Sequence, residues 1–301
     1  MTNLIVLLSY LDVLLNCISS DVRLSNKYSI TQYLEEQTKD TRHALVELGE
    51  ALTPYRDDIV LIGGWVPYLL TEGEDDFHHC GSEDIDLALK ICIPNKGKTI
   101  RQIIETLGYK QVQDFPHRFC KKTESNGRDY EIRLDFLCEG DKKSHLTVQE
   151  DLKAAPFPLV GIAFYFNSER EIRDAEGVIT TSLKVADLVG SLVMKSDYDS
   201  EKENKYLYDV FALTWYKGGP EQAAKCFIQI ISDKISKKII SEETIEQVKQ
   251  GIQRIYNTFN RANGGAHWVW TFDNRYEYNF VLARMNRFLK PVLQFLNGFS
   301  G

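Results

Sequence analysis

Three aspartates in apolar surroundings are the residues of this sequence best suited to carry chemistry. Asp84 and Asp86 are separated by one residue at the start of a segment that alternates like a strand, residues 85–93. Residues at i and i+2 of a strand point to the same face, so the two carboxylates project together. Asp135 lies in a second apolar segment, residues 132–138, where an isolated carboxylate is costly to bury.

A shared divalent cation would resolve this cost for all three side chains at once. Hard carboxylate oxygens favour Mg²⁺ or Mn²⁺. Two such ions held by three carboxylates are a standard device for in-line displacement at phosphorus. The alternative is that Asp84 and Asp86 are solvated charges on an edge strand. The sequence therefore makes Asp84, Asp86 and Asp135 the candidate catalytic and metal-binding residues.

A double glycine precedes the aspartate pair. Gly63 and Gly64 follow a short apolar strand, residues 58–62, and precede a short helix predicted over residues 65–70. Glycines at a strand-to-helix turn let backbone N–H groups approach a phosphate, and the start of a helix favours its negative charge. This turn is the candidate phosphate-binding element.

The order of these features resembles the DNA polymerase β-like nucleotidyltransferase superfamily, and within it the AbiEii/MenT-type toxins of bacterial toxin–antitoxin and phage-abortive systems. Three stretches carry the resemblance, which spans roughly residues 55–216: LIGGWVPYLL at 61–70, GSEDIDLAL at 81–89, and LVGSLVMKSDYDSEKENKYLYDVFAL at 188–213.

The resemblance implies a role for each matching position. Asp84 and Asp86 match the metal-binding pair, and Asp135 is the third carboxylate. The resemblance also implies five nucleotide-binding residues: Gly63, Gly64, Ser82, Lys195 and Asp209. Lys195 matches a lysine that holds the triphosphate, and Asp209 matches the acidic position that follows this lysine. The sequence departs from the pattern at Trp65, where many relatives have Ser or Thr, and at Tyr206, which follows Lys205 in place of Asp.

By the same resemblance, the expected reaction transfers a nucleoside monophosphate from an NTP to an acceptor hydroxyl, with Mg²⁺ or Mn²⁺ as cofactor. The expected acceptor is the 3′ end of tRNA, and the expected protein partner is a cognate antitoxin. Two alternatives stay open. One is a small-molecule nucleotidyltransferase of the aminoglycoside-modifying kind, for which an acidic loop would suit a polycationic substrate: Glu72, Glu74, Asp75 and Asp76. The other is a catalytically silent binding module of the same fold.

Several other polar residues are weaker candidates. His78 and His79 stand beside Cys80 in the loop of residues 71–82, and His117 lies near a predicted hairpin. Residues 268–280 interleave aromatic side chains with nearby arginines, a composition that suits single-stranded RNA or a helical core with arginines along its rim. The arginines concerned are Arg261, Arg275, Arg284 and Arg287.

The elements that position these residues predict an α+β protein. Strands are predicted over 58–62, 85–93 and 160–166, with a hairpin of residues 118–122 and 130–138 around the turn at 125–127. Helices are predicted over 30–52, 65–70, 98–107, 183–196, 204–216, 220–236, 241–260 and 277–297. We therefore expect a polymerase β-like domain, a mixed sheet with flanking helices, over residues 1–178, and a helical domain over 179–301.

Composition limits the remaining choices. The 301 residues carry a net charge of −7, and 43% of them are hydrophobic. These values exclude a mainly disordered chain and a free-standing basic nucleic-acid module. The six cysteines contain no C-x-x-C pair, which favours a reducing cytoplasmic location. Residues 1–20 are apolar at helical spacing, and Asp12 interrupts them so that no stretch is long enough for a membrane span. A buried or partner-covered helix is expected there in preference to a targeting segment or a misassigned start.

Overall fold

The computed structural model describes residues 30, 35–125, 127–141, 144–197 and 203–299. Within these ranges the chain is an α+β protein built on a mixed sheet. The helix expected at residues 1–20 lies outside the described residues. In the part of the chain that is described, no helix combines the length and the apolar character that crossing a membrane requires.

Nine strands form the sheet among the described residues. Their bounds are β1 Ile59–Ile62, β2 Asp84–Leu89, β3 Lys110–Val112, β4 Phe115–Ser125, β5 Arg128–Cys138, β6 Leu146–Gln149, β7 Leu152–Pro156, β8 Asn167–Arg173 and β9 Thr180–Ala186. The main path runs β3-β4-β5-β2-β1-β9-β8, with β7 paired to β5 and β6 paired to β7.

Ten α-helices are present among the described residues. Their bounds are α1 Glu35–Ala51, α2 Trp65–Thr71, α3 Ile100–Thr106, α4 Ile162–Tyr165, α5 Leu188–Lys195, α6 Glu203–Ala212, α7 Pro220–Ser236, α8 Glu242–Asn260, α9 Gly265–Phe272 and α10 Tyr278–Asn297. The two 3₁₀ turns that follow α1 and α6 are Thr53–Tyr55 and Leu213–Trp215.

Strands β1, β2 and β5 lie side by side in the middle of the sheet. Strand β1 is buried along its whole length and pairs antiparallel with β2, with Ile62 opposite Asp86. Strand β2 in turn pairs parallel with β5, with Asp86 opposite Asp135. Parallel pairing keeps side chains at the same register on the same face, so these strands bring two of the candidate carboxylates together.

Helix α5 is held at its start by a side-chain cap. The Asp187 carboxylate accepts hydrogen bonds from the backbone N–H groups of Val189 and Gly190, at 2.9 and 3.1 Å. Such a cap satisfies N–H groups that have no partner inside the helix. All eight residues of α5 are buried, including the last, Lys195. Packing along the helix therefore fixes the position of this lysine.

Two sequence-based assignments are wrong. The apolar run at residues 160–166 is predicted as a strand, but residues 162–165 form α4, because a short apolar run does not distinguish a buried strand from a buried helical turn. The segment 183–196 is predicted as one helix, but its first residues belong to β9, which alternates between exposed and buried positions and pairs with β8. The helix begins only at Leu188.

Strand β9 lies beyond residue 178, where we expect the helical domain to begin, and it pairs with β1 in the sheet. The sheet therefore continues past the expected boundary, and the division into domains 1–178 and 179–301 stays a prediction. The predicted hairpin is formed by β4 and β5, which pair from Ser125 and Arg128 at the turn to Arg118 and Asp135 at the far end.

Candidate active site

A cavity of about 350 Å³ lies beside the ends of β1 and β2. Four of the predicted site residues line it: Gly63, Gly64, Asp86 and Lys195. The opposite wall is largely apolar and includes Leu137, Pro156, Phe157, Val160 and Met194. A cavity of this size with a few convergent polar groups on an apolar wall is typical of a small-molecule site.

The double glycine brings the backbone close to the aspartates. Gly63 has a φ of +77°, and a Cβ there would collide with the Asp86 carboxylate. A Cβ on Gly64 would lie 2.5 Å from the Oγ of Ser82. Both positions therefore require glycine, Gly63 for its conformation and both for the close approach. The turn, Ser82 and Asp86 form one compact group.

The other two predicted metal ligands are each paired with an arginine. Arg118 donates two hydrogen bonds to Asp135, Nε to Oδ1 at 2.7 Å and a terminal nitrogen to Oδ2 at 2.6 Å. Arg133 lies 2.7 Å from Asp84, between its Nε and Oδ1. Neither arginine was identified in the sequence as a site residue, although both lie in the predicted hairpin.

The three aspartates supply carboxylate oxygens alone, the donors that Mg²⁺ and Mn²⁺ prefer. In this structure the oxygens of the three aspartates do not all lie within 4.8 Å of one another. Among the described residues, one other group of metal-binding side chains does meet this distance. The two arginines supply the positive charge at Asp84 and Asp135. The donor set thus fits a hard divalent cation, provided that the cation takes over this charge compensation.

A buried network joins Asp209, the last of the predicted site residues, to Lys195 at the cavity. Asp209 is 1% exposed. Its Oδ2 accepts a hydrogen bond from Lys195 Nζ at 2.6 Å, and its Oδ1 accepts one from Lys205 Nζ at 2.5 Å. Burial raises the pKa of Asp209, but the two ammonium groups more than offset this and hold the pKa well below its usual range. Asp209 is therefore ionised, and it fixes Lys195 at the cavity edge.

His79 also contacts Asp209 in this network, a role that the sequence pattern does not predict. Its Nε2 lies 2.9 Å from Asp209 Oδ1, and its Nδ1 accepts a hydrogen bond from the backbone N–H of Gly81 at 3.0 Å. Because Nδ1 accepts, Nε2 carries the proton and donates to Asp209. Burial, followed by the charge of Lys205, lowers the pKa of His79 to about 4. His79 is therefore a neutral donor at pH 7.

One signal in the sequence does point to the burial of His79. Phe77 is the large apolar residue of an otherwise polar loop, and it is 2% exposed. It stacks on Trp215 with ring centroids 4.3 Å apart. This contact anchors the loop and brings His79, two residues later, against Tyr208 of α6 at 5.2 Å between centroids. Neighbouring Cys80 is unsuited to act as a nucleophile, because burial raises the pKa of its thiol to about 11.

Five of the weaker candidates contact residues that do not line the cavity. His117 lies against His145, with their nitrogens 2.8 Å apart. Arg284 stacks on Trp215 at 3.6 Å from the ring centroid, and Arg275 pairs with Asp273 at 2.7 Å. Arg287 pairs with Glu221, and Glu72 of the acidic loop pairs with Arg42 at 2.6 Å.

Comparison with known proteins gives no relative for this chain: no protein-family model matches it, no curated protein matches it, and no solved structure matches it. The nucleotidyltransferase resemblance consequently rests on the three sequence stretches.

Proposed function

We propose that this protein is a divalent-cation-dependent nucleotidyltransferase that moves a nucleoside monophosphate from an NTP to an acceptor hydroxyl. One observation carries the proposal. Asp86 faces the Gly63–Gly64 turn in a cavity and lies opposite Asp135 on the neighbouring parallel strand. A backbone turn open to phosphate therefore adjoins carboxylates that can hold a cation, which is the combination that phosphoryl and nucleotidyl transfer requires.

The chain's own residues would bind and orient the nucleotide. The glycine turn allows backbone N–H groups to approach phosphate oxygens without steric hindrance. Lys195 adds a positive charge at the edge of the same cavity, held there by Asp209. A lysine is a suitable point charge for a phosphate. The apolar wall that includes Pro156 and Phe157 offers a surface against which a nucleobase can pack.

Asp84, Asp86 and Asp135 would hold the cation. When bound, Mg²⁺ or Mn²⁺ neutralises the charge that develops on the leaving pyrophosphate. In this proposal Asp135, which lies opposite Asp86 on the neighbouring strand, also accepts the proton of the acceptor hydroxyl. Arg118 and Arg133 balance the aspartates' charge when no cation is present.

For the acceptor we propose the 3′ end of tRNA, so that modification would block aminoacylation and arrest growth, and a cognate antitoxin would restrain the activity. This part of the proposal rests on the resemblance of the motifs to the AbiEii/MenT-type toxins. The Asp86 cavity is an argument for the nucleotide-transfer part of the proposal and does not depend on the identity of the acceptor.

The test incubates the purified protein with Mg²⁺, total tRNA and each labelled NTP separately, and also measures pyrophosphate release. Asp86→Asn is the test variant. Asp114→Asn is the matched control, because Asp114 is an exposed aspartate in the turn before β4. Label in tRNA that depends on Asp86 but not on Asp114 is the expected result.

Two other results would revise the proposal at different levels. Label on polyhydroxylated amines but not on tRNA would keep the transferase and replace its acceptor with a small molecule. Absence of transfer to every acceptor, together with absence of Mg²⁺–NTP binding by calorimetry, would overturn the enzyme proposal and favour a binding module.

A further inference from the structure

Helix α1 and the turn between β8 and β9 bring together three side chains of metal-binding type, none of which lines the cavity beside Asp86. They are His43, Asp174 and Glu176, whose ligand atoms all lie within 4.8 Å of one another. His43 Nδ1 is 3.7 Å from Asp174 Oδ2. Two atoms that each lie roughly 2.1 Å from a tetrahedral zinc ion are roughly 3.4 Å apart. The His43–Asp174 spacing is close to that value.

The Asp174 carboxylate is held in place by its own turn. Its Oδ1 accepts hydrogen bonds from the backbone N–H groups of Val178 and Ile179, at 2.7 and 3.2 Å. Its side chain is only 3% exposed, and its other oxygen, Oδ2, is the one that faces His43. One oxygen therefore fixes the group, and the second is directed at the imidazole.

The His43 imidazole faces a second carboxylate on its other side. Its Nε2 lies 3.7 Å from Oε1 of Glu47, one helical turn later. Glu47 is itself held by Lys121, at 2.9 Å between Oε2 and Nζ. A separation of 3.7 Å is too long for a hydrogen bond, so Glu47 places negative charge near the imidazole without orienting it.

We propose that His43, Asp174 and Glu176 form a binding site for one divalent transition-metal ion of the zinc type. One imidazole and two carboxylates suit Zn²⁺, whereas Mg²⁺ prefers oxygen donors alone. Glu176 is exposed, so its side chain can close on the ion. The ion would tie the β8–β9 turn to helix α1, and binding to the folded chain would stabilise it.

The site is separate from the proposed transfer site in both residues and chemistry. It uses none of the three candidate catalytic aspartates, and the test below measures binding and stability rather than nucleotide transfer. Its outcome is therefore independent of the outcome for the enzyme proposal.

The test titrates Zn²⁺ into the full chain in the presence of excess Mg²⁺, and follows heat release and Tm. Co²⁺ serves as a spectroscopic probe, because its visible absorption reports the geometry and the donor atoms of the site. The expected result is one ion bound per chain, a Tm that rises with Zn²⁺ concentration, and a Co²⁺ spectrum of a nitrogen–oxygen site without thiolate bands.

Variants decide whether these residues are responsible. His43→Gln and Glu176→Gln are expected to remove the rise in Tm and to weaken binding at least about tenfold. The matched controls are His78→Gln, an exposed histidine, and His117→Gln, which removes half of the His117–His145 pair. Both controls should bind Zn²⁺ as the unmodified chain does. Binding that survives in His43→Gln, or that disappears in His117→Gln, would overturn the proposal.

Discussion

Asp86 and Asp135 occupy the same register position on two neighbouring parallel strands, β2 and β5, although 49 positions separate them in the chain. On its other side Asp86 meets the backbone of Gly63, which leaves no space for a Cβ. Asp135 accepts hydrogen bonds from Nε and one terminal nitrogen of Arg118. The pair therefore lies between the glycine turn and Arg118, the two groups to which the proposed function assigns phosphate binding and charge compensation.

The ion pair between Arg118 and Asp135 leads to a first expectation. The two side chains are 23% and 10% exposed, so Arg118→Gln leaves a largely buried carboxylate without its charged partner. We expect the free energy of unfolding to fall by about 1–3 kcal/mol in the absence of divalent cations. Mg²⁺ should restore part of this loss, because the cation then compensates Asp135. Urea unfolding with and without Mg²⁺ measures both effects.

The control for this experiment is Arg173→Gln, which removes an exposed ion pair with Glu171 that is worth at most about 1 kcal/mol. If Mg²⁺ stabilises Arg118→Gln no more than it stabilises the unmodified chain, Asp135 does not bind the cation.

A second expectation concerns the glycine turn. Gly63 and Gly73 both have positive φ angles, +77° and +85°. A Cβ at Gly73 meets nothing within 4 Å, whereas a Cβ at Gly63 collides with Asp86. Gly73→Ala should therefore cost only the backbone strain, about 1–2 kcal/mol. Gly63→Ala should cost more and should also lower NTP binding, because Asp86 must move. Thermal unfolding and calorimetric titration with Mg²⁺–NTP give the comparison, and equal behaviour of the two variants would contradict it.

Much of this site follows from sequence pattern, and the parts that do not follow have identifiable causes. The turn between Ser125 and Arg128 fixes the hairpin register, and counting back along both strands places Arg118 opposite Asp135. This arginine was therefore within reach of sequence reasoning. The pairing of Asp86 with Asp135 was not, because it depends on which strands become neighbours in the sheet.

The burial of His79 could not be predicted from the sequence pattern. The loop of residues 71–82 is rich in charge, so the sequence predicts a polar loop with no fixed histidine. In the structure the loop is anchored by Phe77, and His79 enters the interior. Strand β9 is not predicted from the sequence because Asp187 is the single polar residue between its apolar end, Val185 and Ala186, and the apolar helix α5. One polar residue inside an apolar run does not mark a boundary between strand and helix.

A third expectation addresses Asp209. It compensates two lysines whose side chains are 6% and 12% exposed, Lys195 and Lys205. Asp209→Asn removes this charge and leaves two buried ammonium groups close together. We expect a loss of about 3–5 kcal/mol in the free energy of unfolding. Asp57→Asn is the control, since Asp57 forms a surface pair with Lys184 that is worth about 0–1 kcal/mol. Similar losses in the two variants would show that the buried network adds no stability.

The last expectation is a pH dependence that originates at His79. The pKa of His79 is lowered from 6.5 to about 4 in the folded chain, first by burial and then by the charge of Lys205. Between pH 6.5 and 4, His79 is therefore protonated in the unfolded chain and neutral in the folded chain. Stability from neutral His79 is complete above about pH 6.5, falls as the pH drops towards 4, and changes no further below that. The total loss is on the order of 3 kcal/mol.

A comparison of variants isolates this contribution from that of the other titrating groups. Asp209, whose pKa lies below its usual range, loses its stabilising effect only in more acidic solution, so the two contributions occupy different pH windows. His79→Gln can still donate to Asp209 but does not titrate, and its free energy of unfolding should vary less between pH 6.5 and 4. His78→Gln, at an exposed neighbouring position, should keep the full dependence. Identical pH profiles for the two variants would show that His79 is not the group responsible.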